Sequence, residues 1–268
     1  MTARPFLAAA VAAALALPAP AHALDVIEGE ILPGWRLADG THMAGLRLSL
    51  APGWKTYWRA PGDAGIPPSF DWGGSANLDG VEIAWPVPEV FDQNGMRTIV
   101  YADEVVLPLR VSPAQPGEAI HLSAEIALGV CEDICIPAQI SVQGKLPAGA
   151  ARPDPAIAAA LAARPLSAEE AGVRQVTCRM EATERGLALT AEIEMPRAAL
   201  TEAAVIEPGD PQIWASEPEL ARLAPDVLAA ASRMEHMSGE GFAIDRGAVR
   251  ITLLGDGTAV EIRGCPAD

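Results

Sequence analysis

The stretch Gly129-Val130-Cys131-Glu132-Asp133-Ile134-Cys135-Ile136-Pro137 holds two of the chain's four cysteines, four positions apart. The run before it, Ala119 to Leu128, largely alternates apolar and polar residues, and so does the run after it, Ala138 to Gln143. Period-two alternation is the mark of a β-strand. In one straight strand, residues four apart lie roughly 13 Å apart at ~3.3 Å per residue, whereas a disulfide needs Cα atoms within ~7 Å. If the two cysteines pair, the chain must therefore turn at Glu132-Asp133-Ile134, and a hairpin with three loop residues sets Cys131 opposite Cys135. So small a ring at a strand end points to a working disulfide, because a strained or exposed bridge is the easier one to reduce. A structural disulfide at a hairpin tip and a metal site also satisfy the spacing, and spacing alone leaves all three open.

Working outward, the N-terminus carries Arg4, an apolar run from Phe6 to Leu17, and Pro18-Ala19-Pro20-Ala21-His22-Ala23. This is the pattern of a secretory signal peptide over 1–23, with cleavage after Ala23. The apolar run is too short to span a bilayer, and no later run approaches the ~20 residues a span requires. No cysteine stands at the junction to take a lipid, so the mature chain is expected to be exported and not membrane-anchored. Its compartment would let disulfides persist.

Net charge is −16, and removal of Arg4 takes it to −17. That argues against nucleic acid and anionic membrane surfaces as partners. Gly and Pro are abundant at 24 each, and six Trp outnumber four Phe. Short segments punctuated by Gly and Pro predict an all-β chain.

Strands are predicted at Asp25–Leu32, Met43–Leu50, Val81–Trp85 and in one or two pieces over Ile99–Val111, where Pro108 favours an edge or bulge. Phe91 to Gly95 reads as a loop with an Asn-Gly turn. Asp154 before Pro155 and an Ala-rich run predict a capped helix reaching Arg164. The first domain is thus placed at 24–147, a linker with a short helix at 148–171, and the second domain at 172–268. In the second domain, Val173–Met180 and Gly186–Met195 read as strands. Pro208–Pro225 reads as loop or short helix, and Val227–Met237 fits helix or strand. Ala248–Leu254 and Thr258–Arg263 read as a terminal hairpin. Both halves read as small β-sandwiches. Cys178 and Cys265, 87 positions apart, are expected to form a structural disulfide worth roughly 4 to 5 kcal/mol in the chain-entropy model.

The segments Pro52-Gly53-Trp54-Lys55-Thr56-Tyr57-Trp58-Arg59-Ala60-Pro61-Gly62-Asp63, Trp85-Pro86, Tyr101 to Pro108 and Val130 to Pro137 resemble the periplasmic N-terminal domain of the DsbD family of thiol:disulfide interchange proteins, in particular its suppressor-of-copper-sensitivity, ScsB-like branch. The resemblance covers about Leu24 to Lys145, and the second domain resembles that branch more loosely. It implies an immunoglobulin-like sandwich whose cysteines, here Cys131 and Cys135, pass electrons to periplasmic thioredoxin-like partners, with no cofactor. It also implies a cap that shields the pair, which by position is Glu89 to Gly95 with Phe91 as the shield. Tyr57 and Trp58 would line the site. Full-length members continue into a membrane domain and a thioredoxin-like domain. A chain ending at Asp268 would need a separate membrane electron donor.

Two other functions compete. Cys-x-x-x-Cys suits Cu(I) if a histidine completes the site, and His42, His121 and His236 are the mature candidates. Alternatively, the hairpin only docks a partner. For the redox reading, Glu132 and Asp133 tune the pair. Like charges disfavour a thiolate, so thiol pKa values at or above about 8.5 and a reducing potential, more negative than roughly −180 mV, are expected.

Overall fold

The computed structural model describes residues 26–62, 65–93, 96–149 and 152–267. The expected leader, the Asn94-Gly95 turn and part of the linker, 150–151, lie outside them. The described residues are all-β apart from one short helix, and their four sheets form two sandwich-like bodies.

In the first body one sheet runs, in spatial order, Ile27–Arg36, His42–Leu50, Glu104–Ser112 and Gly80–Ile83, all antiparallel. The facing sheet runs Cys135–Leu146, Ile120–Cys131, Lys55–Tyr57, Met96–Ala102 and Glu89–Gln93, and Ser69–Asp71 also pairs with Ile120–Cys131. Alternation decides what fills the space between them. Ile120, Leu122, Ala124, Ile126, Leu128 and Val130 all point inward and are wholly buried, against Leu46, Leu107, Leu109 and Val111 of the other sheet. Each large apolar side chain buried in this way contributes about 1.5–3 kcal/mol.

The helix Pro155–Ala162 starts where Asp154 accepts hydrogen bonds from the Ala156 and Ile157 amides, with Pro155 in the first turn. Its one buried residue, Ile157, packs on Leu32, Met43 and Val106 on the outer side of the first sheet. The helix is thus fastened to the first body.

In the second body Gln175–Ala182, Leu187–Glu194, Val227–His236 and Ile213–Ala215 form one sheet, with Glu219–Ala224 also paired to Val227–His236. The other sheet contains Leu166–Ser167, Thr258–Arg263, Arg250–Gly255 and Ala203–Glu207. Leu189 and Ile193 of one sheet meet Ile251, Leu253, Val260 and Ile262 of the other.

Several local expectations need correction. Phe91 to Gln93 belong to the strand Glu89–Gln93 rather than to a loop, because Met96–Ala102 pairs with them. Pro108 sits in an inner strand, at neither an edge nor a bulge. The short neighbouring strand ends at Ile83, opposite Leu109, so at Pro108 only its carbonyl is engaged on that side, by the Ala84 amide at 2.9 Å. Between Pro208 and Pro225 there are two short strands, because Leu187–Glu194 takes one edge of Val227–His236 and leaves the other for Ile213–Ala215 and Glu219–Ala224 to pair with in turn. Val227–His236 itself is a strand, and Ala203–Glu207 is a strand the sequence pattern did not mark.

Candidate functional site: the disulfide on the outer face of the hairpin

The parity that buries the even-numbered residues of Ile120–Cys131 turns Cys131 to the opposite face. Cys135 opens the next strand directly across from it, Cys135↔Cys131, with Glu132 to Ile134 as the turn. The two are joined in a disulfide with Cα atoms 4.2 Å apart. The two cysteines differ in environment: Cys131 is 7 % exposed, while Cys135 is an exposed residue. Ile134 beside it is 69 % exposed, an apolar side chain at the rim.

Lys55–Tyr57 is the inner neighbour of this strand, and it supplies the site's floor. The Tyr57 hydroxyl lies 2.7 Å from Cys131 Sγ and 2.9 Å from Cys135 Sγ. Burial raises the Tyr57 pKa, so the phenol stays a neutral hydrogen-bond donor. Its ring reaches this position because Gly129 has no side chain. A Cβ there would come within 2.7 Å of the Tyr57 ring and 2.8 Å of Ile66. The adjacent Thr56 hydroxyl donates to the Gly129 carbonyl at 2.9 Å and holds the two strands in step.

Tyr57, Val100 and Cys131 form a small apolar cluster of their own, and Phe91 packs on it from the edge strand Glu89–Gln93. The Lys55 ammonium sits 4.4 Å over the Phe91 ring, a cation–π contact. Lys55 is the backbone partner of Cys131. It is a site residue the sequence reading missed: counting charges only between the cysteines hid a cation delivered from a strand 76 positions away. Glu132 and Asp133 are exposed in the turn, and the Glu132 carboxylate lies over Gly53. A thiolate formed at Cys131 would therefore meet a neutral phenol donor and a cationic neighbour as well as two acids.

Trp58, expected to line the site, points the other way. It is fully buried in the core between the sheets, with the Arg59 guanidinium 4.1 Å over its ring. Alternation explains this, since Tyr57 and Trp58 are consecutive residues and take opposite faces. The histidines are also elsewhere. His121 pairs with Lys145 at the far end of the hairpin. His42 is buried, with Nε2 2.6 Å from the Pro33 carbonyl, and burial lowers its pKa. His236 contacts Ser238 in the second body. Among the described residues no three His, Cys, Asp or Glu side chains gather as a metal site.

The second disulfide, Cys178–Cys265, has Cα atoms 5.4 Å apart and both residues 1 % exposed. The Cys178 amide donates to Pro266, and Arg246 donates to the carbonyls of both cysteines.

A β-sandwich carrying a half-exposed disulfide between two facing strand ends, under a packed edge strand, is consistent with a thiol–disulfide redox module. Residues 28–147 match the family described as thiol:disulfide interchange protein DsbD, N-terminal. In structure the chain is similar to the N-terminal periplasmic domain of ScsB from Proteus mirabilis. The two share 22 % identity, 94 % of this chain and 97 % of that one are covered, and the TM-score is 0.65. That likeness extends the shared fold over both bodies. The reduced N-terminal domain of DsbD from Neisseria meningitidis aligns with 46 % of this chain and 90 % of its own, at 18 % identity and a TM-score of 0.26. The complex of the DsbD and PilB N-terminal domains from the same organism aligns with the same 46 % and with 88 % of its own chain, at the same identity and TM-score. No curated protein matches the chain. Among the described residues no helix is long and apolar enough to cross a membrane.

Proposed function

We propose that this chain is a periplasmic thiol–disulfide interchange protein that relays electron pairs through Cys131 and Cys135 to thioredoxin-like partners, drawing them from a membrane donor. The observation that carries this reading is the asymmetry of the disulfide: Cys135 is exposed and Cys131 buried, with a neutral phenol within hydrogen-bond reach of both sulfurs. A donor thiolate attacks Cys135 Sγ, the sulfur it can reach. A new S–S bond forms between donor and Cys135, and the Cys131–Cys135 bond breaks. Cys131 leaves with the electron pair as a thiolate, beside the Tyr57 hydroxyl. The donor's second thiolate then attacks its own bridged sulfur, releasing Cys135. The donor leaves oxidised, and the pair holds two electrons and, after protonation, two protons. Transfer to an acceptor disulfide repeats these steps in reverse, with Cys135 as nucleophile and Cys131 as the resolving thiol. The exposed Ile134 gives a partner an apolar contact beside the reacting sulfur. Residues 1–23 as a signal peptide and the division at the linker complete the reading.

The test is trapping. Cys131→Ser leaves the reachable sulfur without its resolving partner and should accumulate a mixed disulfide with a purified thioredoxin-like protein through Cys135, read by mass spectrometry. Cys135→Ser should trap far less. Equal trapping would remove the assignment of roles, and no trapping by either variant would remove the relay.

A further inference from the structure

The cap strand Glu89–Gln93 has two faces. Phe91 covers the Tyr57–Val100–Cys131 cluster. Val90 and Asp92 point the other way, into a cleft of about 330 Å³ whose opposite wall is Thr201, Ala203 and Leu254 to Gly257 of the second body. Ala203 and Leu254 are 3 % and 1 % exposed and belong to the same buried cluster against which Val90 packs. The second body thus lies directly behind the strand that covers the redox sulfur.

Two arginines of the first body fix it there. Arg59 follows Tyr57 and Trp58 in the chain, and its guanidinium contacts Glu207 and Glu261 at 2.9 Å each. Burial raises the Glu261 pKa, but Arg250 and Arg59 outweigh this and hold it below the usual carboxylate value. The second arginine is on the cap hairpin itself. Arg97 donates to Asp92 across the hairpin at 3.3 Å and to Glu217 of the second body at 2.8 Å. Arg97 is the ladder partner of Asp92, and Phe91 is paired to the next residue, Thr98. A displacement of Phe91 away from Cys131 therefore has to move the hairpin that Arg97 ties to the second body.

We infer that the second body is the cap's backstop, and that Arg97 is a positioning residue whose bridge to Glu217 sets how often Phe91 uncovers Cys131. The inference rests on the redox reading of the pair, but it concerns access to the thiol and is measured without a partner. Arg97 and Glu217 are partly exposed, at 33 % and 42 %. Breaking such a bridge changes an opening equilibrium by about two- to fivefold.

The experiment reduces the full chain and follows alkylation of Cys131 and Cys135 separately by N-ethylmaleimide, with peptide mapping. Glu217→Gln should speed labelling of Cys131 about threefold, and Glu217→Arg should speed it further. Glu217→Asp should restore part of the protection, and Glu219→Gln, two residues on, should change nothing. Cys135, already open, should keep its rate in every variant. Salt should speed Cys131 labelling in the wild type toward the Glu217→Gln rate and leave that variant unmoved, because an exposed ion pair is screened. Unchanged Cys131 labelling in Glu217→Arg, with thermal unfolding unchanged, would overturn the inference. A uniform rise at both cysteines would overturn it too, by showing general loosening. Exchange of the wild type with a thioredoxin-like protein is run alongside. Its failure would count against the relay, whereas the order of the alkylation rates judges only the backstop.

Discussion

The molecule has two disulfides, and they are opposites in loop length and in exposure. Cys131–Cys135 closes a separation of 4 across a turn, stands on the outer face of a sheet and leaves one residue open to solvent. Cys178–Cys265 closes a separation of 87 and is buried at both ends. It ties the strand Gln175–Ala182 to the chain's last residues, and Arg246 binds the carbonyls on either side. Oxidation state alone does not tell such bonds apart. Loop length sets what a bond contributes to stability, and access to sulfur sets what it can exchange.

The widest gap between the two should appear in reduction. With graded dithiothreitol, alkylation and peptide mapping, Cys131–Cys135 should open at about a hundredfold less reductant than Cys178–Cys265, since exposed bonds are more oxidising than buried structural ones. Labelling of Cys178 first would reverse the assignment. Stability should show the opposite ranking. Replacing Cys178 and Cys265 together by Ala should cost about 4–5 kcal/mol, against about 2 kcal/mol for replacing Cys131 and Cys135 by Ser, following loop length. Urea unfolding of each variant measures both losses, and equal losses would break the contrast.

The smallest effect separates two tyrosines. Tyr57→Phe keeps the ring and removes the donor at Cys131, so the Cys131 thiol pKa should rise by about one unit, the scale of a hydrogen bond to a charged group. The pH dependence of alkylation reads this. Burial holds the Tyr57 pKa above its ordinary value of 10.0, so the phenol is protonated at neutral pH. The Tyr57 contribution to stability is present below pH 10.0 and is lost as pH rises through the folded-state value. Tyr101→Phe should leave the thiols alone, because that hydroxyl donates to the Pro86 carbonyl at 2.7 Å within the core.

The hairpin was legible because its signal is local. Alternation through Ile120–Cys131 states which residues face inward, and its parity already places Cys131 outside. The helix was legible for the same reason: Asp154 and Pro155 are adjacent. What failed were features set by pairing with a neighbouring strand rather than by a segment's own pattern. Phe91 to Gln93 become a strand only because Met96–Ala102 lies beside them, and Pro108 is tolerated inside a sheet only because its neighbour strand stops short. Lys55 enters the site through sheet register, which no count of residues around the cysteines reveals. The resemblance pointed to Tyr57 and Phe91, while strand parity would have set Trp58 aside.

One feature of the hairpin bears on how such a protein can drift over generations. Gly129 has no side chain to carry chemistry, yet its bare Cα is what lets the Tyr57 ring lie beneath the sulfurs. A methyl group there leaves both cysteines and the turn intact, so the bond can still form. What is lost is the phenol beside it, and with it a hold on the leaving thiolate. Selection on electron traffic would guard this position as closely as a cysteine, while selection on folding alone would let it wander.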